Sequence, residues 1–226
     1  MSNKILFVTA TSVEAEVIGK IKDIQIIPGG YHLGKFDISM LVTGVGSIST
    51  AWEMQKWISV NDKPYLAINS GIAGSYKEDI KIGDVVMPLS DCFADAGIED
   101  GNNFLTLSEA GLVSSSEFPF IDGVIAADSK YSRSLVGIVK PVKAITVNTA
   151  TGSDETRDKL VKKFNPDIET MEGATFFYIC SREKIPFLAL RAVSNMVEIR
   201  NKNNWDIKLA LSNLAGKIDE VILTLK

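Results

Sequence analysis

Four apolar, β-rich runs in this chain each end in a short loop of small residues, and that repetition limits the folds open to it. The runs are Lys4 to Ala10, Phe36 to Thr43, Tyr65 to Asn69 and Pro141 to Val147. The loops are Ala10-Thr11, Gly44-Val45-Gly46, Ser70 to Ser75 and Asn148 to Ser153. Continuous apolar runs suit strands covered by helices on both faces. Helical patterns interleave with them. Thr11-Ser12-Val13-Glu14 fits a capping box and predicts a first helix to about Lys20. A second is predicted from Ile48 to Val60, its apolar side formed by Trp52, Met54, Trp57 and Ile58. Ser153 caps a third through Phe164, and a last starts near Asp206, with Ile207, Leu211, Leu214, Ile218 and Val221 at helical spacing. Ile24 to Ile27 and Tyr31 to Lys35 read as hairpin pieces, and Val85 to Met87 as a strand ended by Pro88. The segment from Asp91 to Asp122 is irregular and reads as a lid or insertion. With 226 residues, 46% of them hydrophobic, the chain can bury one large core or two small ones. No linker or repeat divides it. The expectation is a single α/β domain over residues 1–226, in three layers, with a central mixed β-sheet flanked by helices.

The stretch from Glu169 to Trp205 concentrates the polar groups of interest. Met171-Glu172-Gly173-Ala174 opens a helix, and Pro186 opens an apolar run that ends in Arg191-Ala192-Val193-Ser194-Asn195. Glu172 and Asn195 therefore stand where an α/β sheet displays ligand-binding groups, at the carboxyl ends of strands. The small-residue loops converge on the same rim.

Several function classes are disfavoured. A net charge of -4 without charge blocks gives no pull toward nucleic acid or an anionic membrane. The N-terminal apolar run is too short for a signal or membrane segment, and two cysteines, Cys92 and Cys180, suit a reducing, cytoplasmic setting. A single histidine, His32, excludes a multi-histidine metal site, and no metal or cofactor is called for. His32 has no acidic partner nearby in this reading, no GxSxG elbow is present, and Cys180 lies in an apolar helix. Gly44-x-Gly46 lacks the third glycine of a dinucleotide loop, and there is no GxxxxGK[ST] motif. Chemistry falls to carboxylates at element ends: Glu14, Glu169, Glu172 and Glu198.

Five pieces in order resemble the nucleoside phosphorylase and nucleosidase superfamily, above all its hydrolytic branch of methylthioadenosine/S-adenosylhomocysteine nucleosidases and futalosine hydrolases. They are TATSVEAE, TGVGSISTA, NSGIAGS with KIGDVV, ETMEGAT and RAVSN, over residues 4 to 222. The resemblance implies roles. Glu14 falls where the hydrolytic branch has the carboxylate that activates water, although a capping role accounts for the same residue. Met171 and Glu172 match the pair that holds the ribose. Asn69 to Gly74, with Ile72 among them, would lie near water and sugar. Thr149, Ala150 and Thr151 would lie beside the base. Phe93, or the 91–122 segment, would serve the 5′ end. Arg200 would meet an anionic 5′ substituent.

Two departures refine this. Phosphorylases of the superfamily bind phosphate through an Arg and a Ser where this chain has Asn69 and Ile72, and through a Gly-Asp-Pro loop where it has Thr9-Ala10-Thr11. Without a guanidinium fork, phosphate is a poor co-substrate, so water is the expected nucleophile. Asn195 stands where adenine-specific members have Asp. Its two amide N–H groups can face the O6 and N7 acceptors of a 6-oxopurine, which points to hypoxanthine and so to futalosine in menaquinone biosynthesis. An adenine-releasing nucleosidase and a non-catalytic nucleoside-binding protein remain open alternatives. The resemblance also implies a homodimer or larger homo-oligomer whose partner lines the 5′ end.

Overall fold

The computed structural model describes residues 3–101, 103–127 and 129–225. β1 (Lys4–Thr9) leads through α1 (Ser12–Ala15) to β2 (Gln25–Ile27), β3 (Gly30–Leu33) and β4 (Phe36–Val42). α2 (Ser47–Val60), β5 (Leu66–Ser75) and β6 (Val85–Asp91) follow. The 91–122 segment holds the small hairpin β7 (Gly97–Asp100) and β8 (Asn103–Thr106), then β9 (Phe120–Ile121). Next come β10 (Val124–Ala126), α3 (Ser129–Ser134), β11 (Lys140–Thr146), α4 (Asp154–Phe164), β12 (Ile168–Thr170), α5 (Gly173–Arg182), β13 (Phe187–Met196) and α6 (Ile207–Thr224).

The result is a mixed α/β fold with a central sheet between helices. Alternate residues of β1 show the layering. Ile5 and Phe7 pack with Leu214, Ile218 and Val221 of α6. Leu6 and Val8 pack with Met54 of α2 and Phe176 and Phe177 of α5. β1 lies between β4 and β5, parallel to both. Beyond β5 the sheet closes on itself. β5 pairs with β13, β13 with β6, β6 with β11, β11 with β12, and β12 with β5. A separate buried cluster draws on all five strands: Ala73, Val86, Val142, Ala144, Ile168 and Val193.

Several elements differ from the sequence reading. β5 does not stop at Asn69. It runs to Ser75, because the small residues there pair along β13 from Ala67 to Ser75. β6 runs through Pro88 to Asp91, and a register shift opposite Val142 and Lys143 accommodates a residue without an N–H. The first helix stops at Ala15, and a short 3-10 turn at Ile18–Lys20 delivers Val17 and Ile18 into the core. Trp52 is 68% exposed; it lies about 200° around the helix from Met54, off the buried face. Ile207, on the first turn of α6, is also exposed. His32 does have an acidic partner, the Asp37 carboxylate at 2.8 Å across the β3–β4 pairing, on the surface.

Candidate active site

Glu14 is 8% exposed and is held by three donors from two elements. Oε2 accepts from the Thr11 backbone N–H at 2.9 Å and the Thr11 hydroxyl at 2.8 Å, which completes the capping box. Oε1 accepts from the Ile72 N–H of β5 at 3.1 Å. Gly71 makes that approach possible: a Cβ there would sit 2.5 Å from Glu14 Oε1. The cap and the site are one arrangement, in which the box orients the carboxylate onto the backbone of β5.

Glu172 stands at the N-cap of α5 but makes no capping bond. Its Oε1 accepts from the Gly46 N–H at 2.8 Å. Burial raises its carboxyl above the usual range, opposed by the Gly46 N–H and by the positive charge of Arg191. Met171 precedes it at the bend and is half-buried.

Arg191 is the residue that sequence reasoning passed over. It is 2% exposed, in the middle of β13. Nη1 donates to the Asn69 carbonyl at 3.0 Å and the Leu190 carbonyl at 3.1 Å, and Nη2 donates to Asn69 Oδ1. Burial pulls its guanidinium down, opposed by the charges of Glu172, Glu14 and Asp91. An unpaired buried cation is costly, so a cation inside FLALRAV was itself a signal of facing carboxylates. Asn69 is the bracket for this cation. Its Oδ1 and carbonyl receive Arg191, and its Nδ2 donates to the Val8 carbonyl at 2.9 Å. Asp91, also unassigned from sequence, is 1% exposed at the end of β6. Burial pushes its carboxyl up to about 7, against the pull of the Thr146 hydroxyl and Arg191.

Asn195 lies opposite Gly74, just past a register shift in β13 at Ser194. Its Nδ2 donates to the Met196 carbonyl at 3.0 Å, and its Oδ1 accepts from the Ser194 hydroxyl at 2.8 Å. The Met196 carbonyl can only accept, so it fixes which way the amide faces. One N–H remains for a ligand, where the sequence reading assigned both.

The loop from Asn148 to Ser153 is tied down at both ends. Asp95 accepts from Asn148. Glu169 accepts from the Thr151 N–H at 2.9 Å, the Thr151 hydroxyl at 2.7 Å and the Tyr76 hydroxyl at 2.6 Å. Glu169 is thus a loop anchor, and the Thr151 side chain is already engaged. Thr149 and Ala150 are exposed. Arg200 is exposed, and its backbone N–H meets the Gly152 carbonyl of the same loop at 3.4 Å. Phe93 is half-buried against the cluster of Phe176 and Phe177. It lines a separate cavity of about 350 Å³ with Val113, Phe120, Ile145 and Phe164, to which Glu14, Glu172 and Asn195 do not contribute. The structure thus brings together Glu14, Ile72, Glu172, Asn69 and Arg191, with Asn195 further along the sheet, opposite Gly74 of β5.

Two carboxylates, on α1 and at the start of α5, and an amide near the end of β13 thus stand against one mixed sheet. The chain belongs to the phosphorylase superfamily, whose family model matches residues 4–225. Particular relatives lie in its hydrolytic branch. A futalosine hydrolase of Acidothermus cellulolyticus is 31% identical over 95% of this chain and 88% of the relative. A 5′-methylthioadenosine/S-adenosylhomocysteine nucleosidase of Buchnera aphidicola is 27% identical over 91% of this chain and 86% of its own. The structure of a futalosine hydrolase of Helicobacter pylori is similar in fold, with a TM-score of 0.77, 17% identity and 97% of each chain covered.

Proposed function

We propose that this chain hydrolyses the N-glycosidic bond of futalosine, releasing hypoxanthine in menaquinone biosynthesis. The observation that carries the reading is the spacing along β5. Glu14 closes on Gly71 and Ile72, and Asn195 closes on Gly74. Three residues of strand separate them by about 10 Å, comparable with a purine nucleoside measured from below its anomeric carbon to the far edge of its base. Glu172, anchored on Gly46, then takes the ribose hydroxyls in charge-assisted hydrogen bonds over Met171.

Glu14 accepts a proton from a water whose oxygen bonds to C1′. The C1′–N9 electron pair leaves with the purine. Positive charge that builds on the sugar is met by Glu14 and Glu172, and Arg191 beneath them limits their mutual repulsion. The free N–H of Asn195 meets the electron-rich edge of the departing base, which takes its proton from solvent. The Asn69 and Ile72 side chains supply no arginine fork for phosphate on that part of β5.

An adenine-releasing nucleosidase is the second reading, and the geometry of Asn195 favours it in one respect. A single N–H serves N7, an acceptor common to adenine and hypoxanthine. The deciding experiment is base release from futalosine, inosine and methylthioadenosine, with and without phosphate. The expected result is hypoxanthine from futalosine, no ribose 1-phosphate and no stimulation by phosphate. Faster adenine release from methylthioadenosine would overturn the base assignment.

The proposed assembly is a homodimer or larger. Val13 precedes Glu14, Val45 precedes Gly46, and Ile48 and Trp52 share a face of α2; all four are exposed at the rim. The proposed location is the cytoplasm, and the two cysteines, free and buried, suit reducing conditions.

A further inference from the structure

The start of α5 is held in an indirect way. Glu172 occupies the N-cap, yet its side chain reaches away to Gly46. The helix's first N–H groups are satisfied instead from the strands beneath. The Gly173 N–H donates to Thr170 Oγ1 at 3.1 Å, and the Ala174 N–H donates to Thr146 Oγ1 at 2.7 Å. The two hydroxyls lie 3.3 Å apart, and the Thr146 hydroxyl donates to Asp91 Oδ1 at 3.0 Å. A hydroxyl has one hydrogen to give. With that of Thr146 on Asp91, its lone pairs face the Ala174 N–H and the Thr170 hydroxyl, and each donor in the chain has an acceptor.

Asp91 Oδ2, by contrast, is buried and has no hydrogen-bond partner among the described residues. It lies directly against the first residue of the helix, where a Cβ on Gly173 would come within 2.1 Å. It therefore faces the positive end of the α5 dipole, which favours its ionised form against the burial that opposes it. Arg191 on β13 and Glu172 on α5 are the charged groups that act on it.

We propose that Asp91 is a positioning residue for the Glu172 carboxylate. By taking the Thr146 hydrogen it sets the direction of both threonine hydroxyls. Those hydroxyls hold the first turn of α5, and the N-cap side chain is released from capping to meet the hydroxyl groups of the ligand. The inference rests on the reading of Glu172 as the ribose clamp.

The test compares KM for inosine with the inhibition constant of 2′,3′-dideoxyinosine, which lacks the hydroxyls that Glu172 would hold. Asp91→Ala and Thr146→Val are each expected to raise KM for inosine about tenfold or more, with the dideoxy constant shifted much less. Asp91→Asn keeps an oxygen for the Thr146 hydrogen and is expected to recover most of that loss. Thr146→Val is nearly isosteric and carries the test if Asp91→Ala does not fold. An unchanged inosine-to-dideoxyinosine ratio in Thr146→Val, with that ratio collapsed in Glu172→Gln, would overturn the positioning role and leave the clamp standing. An unchanged ratio in Glu172→Gln itself would remove the clamp, and the positioning role with it.

Discussion

Glu14 carries a structural and a chemical role on the same carboxylate, and the two separate under substitution. In Glu14→Gln one oxygen becomes an NH₂ group that must face either Thr11 or the Ile72 N–H, both donors. That mismatch is expected to cost about 1–3 kcal/mol of stability. Loss of the general base should lower kcat by about 10² to 10⁴. Thermal unfolding and hypoxanthine release, measured on the same preparation, separate the two effects; near-normal turnover would restrict Glu14 to capping. Asn195→Asp places an oxygen where Nδ2 now meets the Met196 carbonyl. Two facing acceptors repel unless the new carboxyl holds a proton, so the variant favours a protonated acid. Its preference should move toward adenine nucleosides by about tenfold or more, read as the ratio of kcat/KM for inosine and methylthioadenosine; an unmoved ratio would acquit Asn195 of base selection. Glu14, Glu172 and Asn195 could be proposed from the sequence because each stands near the boundary of an element that the sequence pattern delimits. Arg191 and Asp91 could not. Their roles come from neighbours far away in the chain, Asn69 and Thr146 among them, and nothing local marks them beyond a charge next to apolar residues.

At the scale of elements, the sequence pattern located β1, β11, α4 and α6 well and misjudged where β5 and β6 end. The segment from Ser70 to Ser75 is glycine-rich and has the composition of a loop. It is a strand because β13 pairs with it residue by residue and because close approach to Glu14 excludes larger side chains. β6 likewise runs past Pro88 and ends on Asp91, which places a carboxylate under α5. That burial predicts a pH dependence. In the folded chain the Asp91 carboxyl titrates near 7, and in the unfolded chain near the ordinary value of about 4. Between those values the folded state holds a proton that the unfolded state has lost. Stability therefore falls as pH rises through the window, by about 1.4 kcal/mol per pH unit from this group, and the penalty is complete above pH 7. Asp91→Asn removes it. Urea unfolding at pH 5 and pH 8 should show the variant gaining on the parent protein mainly at pH 8. An equal difference at both pH values would mean that Asp91 does not titrate in that range.

For the whole molecule, alternation of strands and helices was enough to foresee an α/β fold with a mixed sheet. It did not foresee that five strands close into a ring, since closure depends on β13 pairing with both β5 and β6. The ring matters to the site, because it packs β5, β13 and the start of α5 around one charged centre of Arg191, Glu14, Glu172 and Asp91. Apolar surface is left open at the rim of that site, as it is at other places on the chain. Ile48 is 85% exposed and Trp52 68%, one helical turn apart on α2, with Val13 next to Glu14 and Val45 next to Gly46, which holds Glu172. Apolar side chains clustered at a ligand's edge are the usual mark of an interface, and a second copy seated there would cover the 5′ end of the nucleoside. Trp52→Glu puts a charge in the middle of that surface. Sedimentation should show the parent protein as a dimer or larger and the variant shifted toward monomer, with KM for futalosine raised more than kcat is lowered. A monomeric parent protein would end this reading. A variant that stays assembled would move the interface elsewhere and leave Trp52 as a simple surface tryptophan.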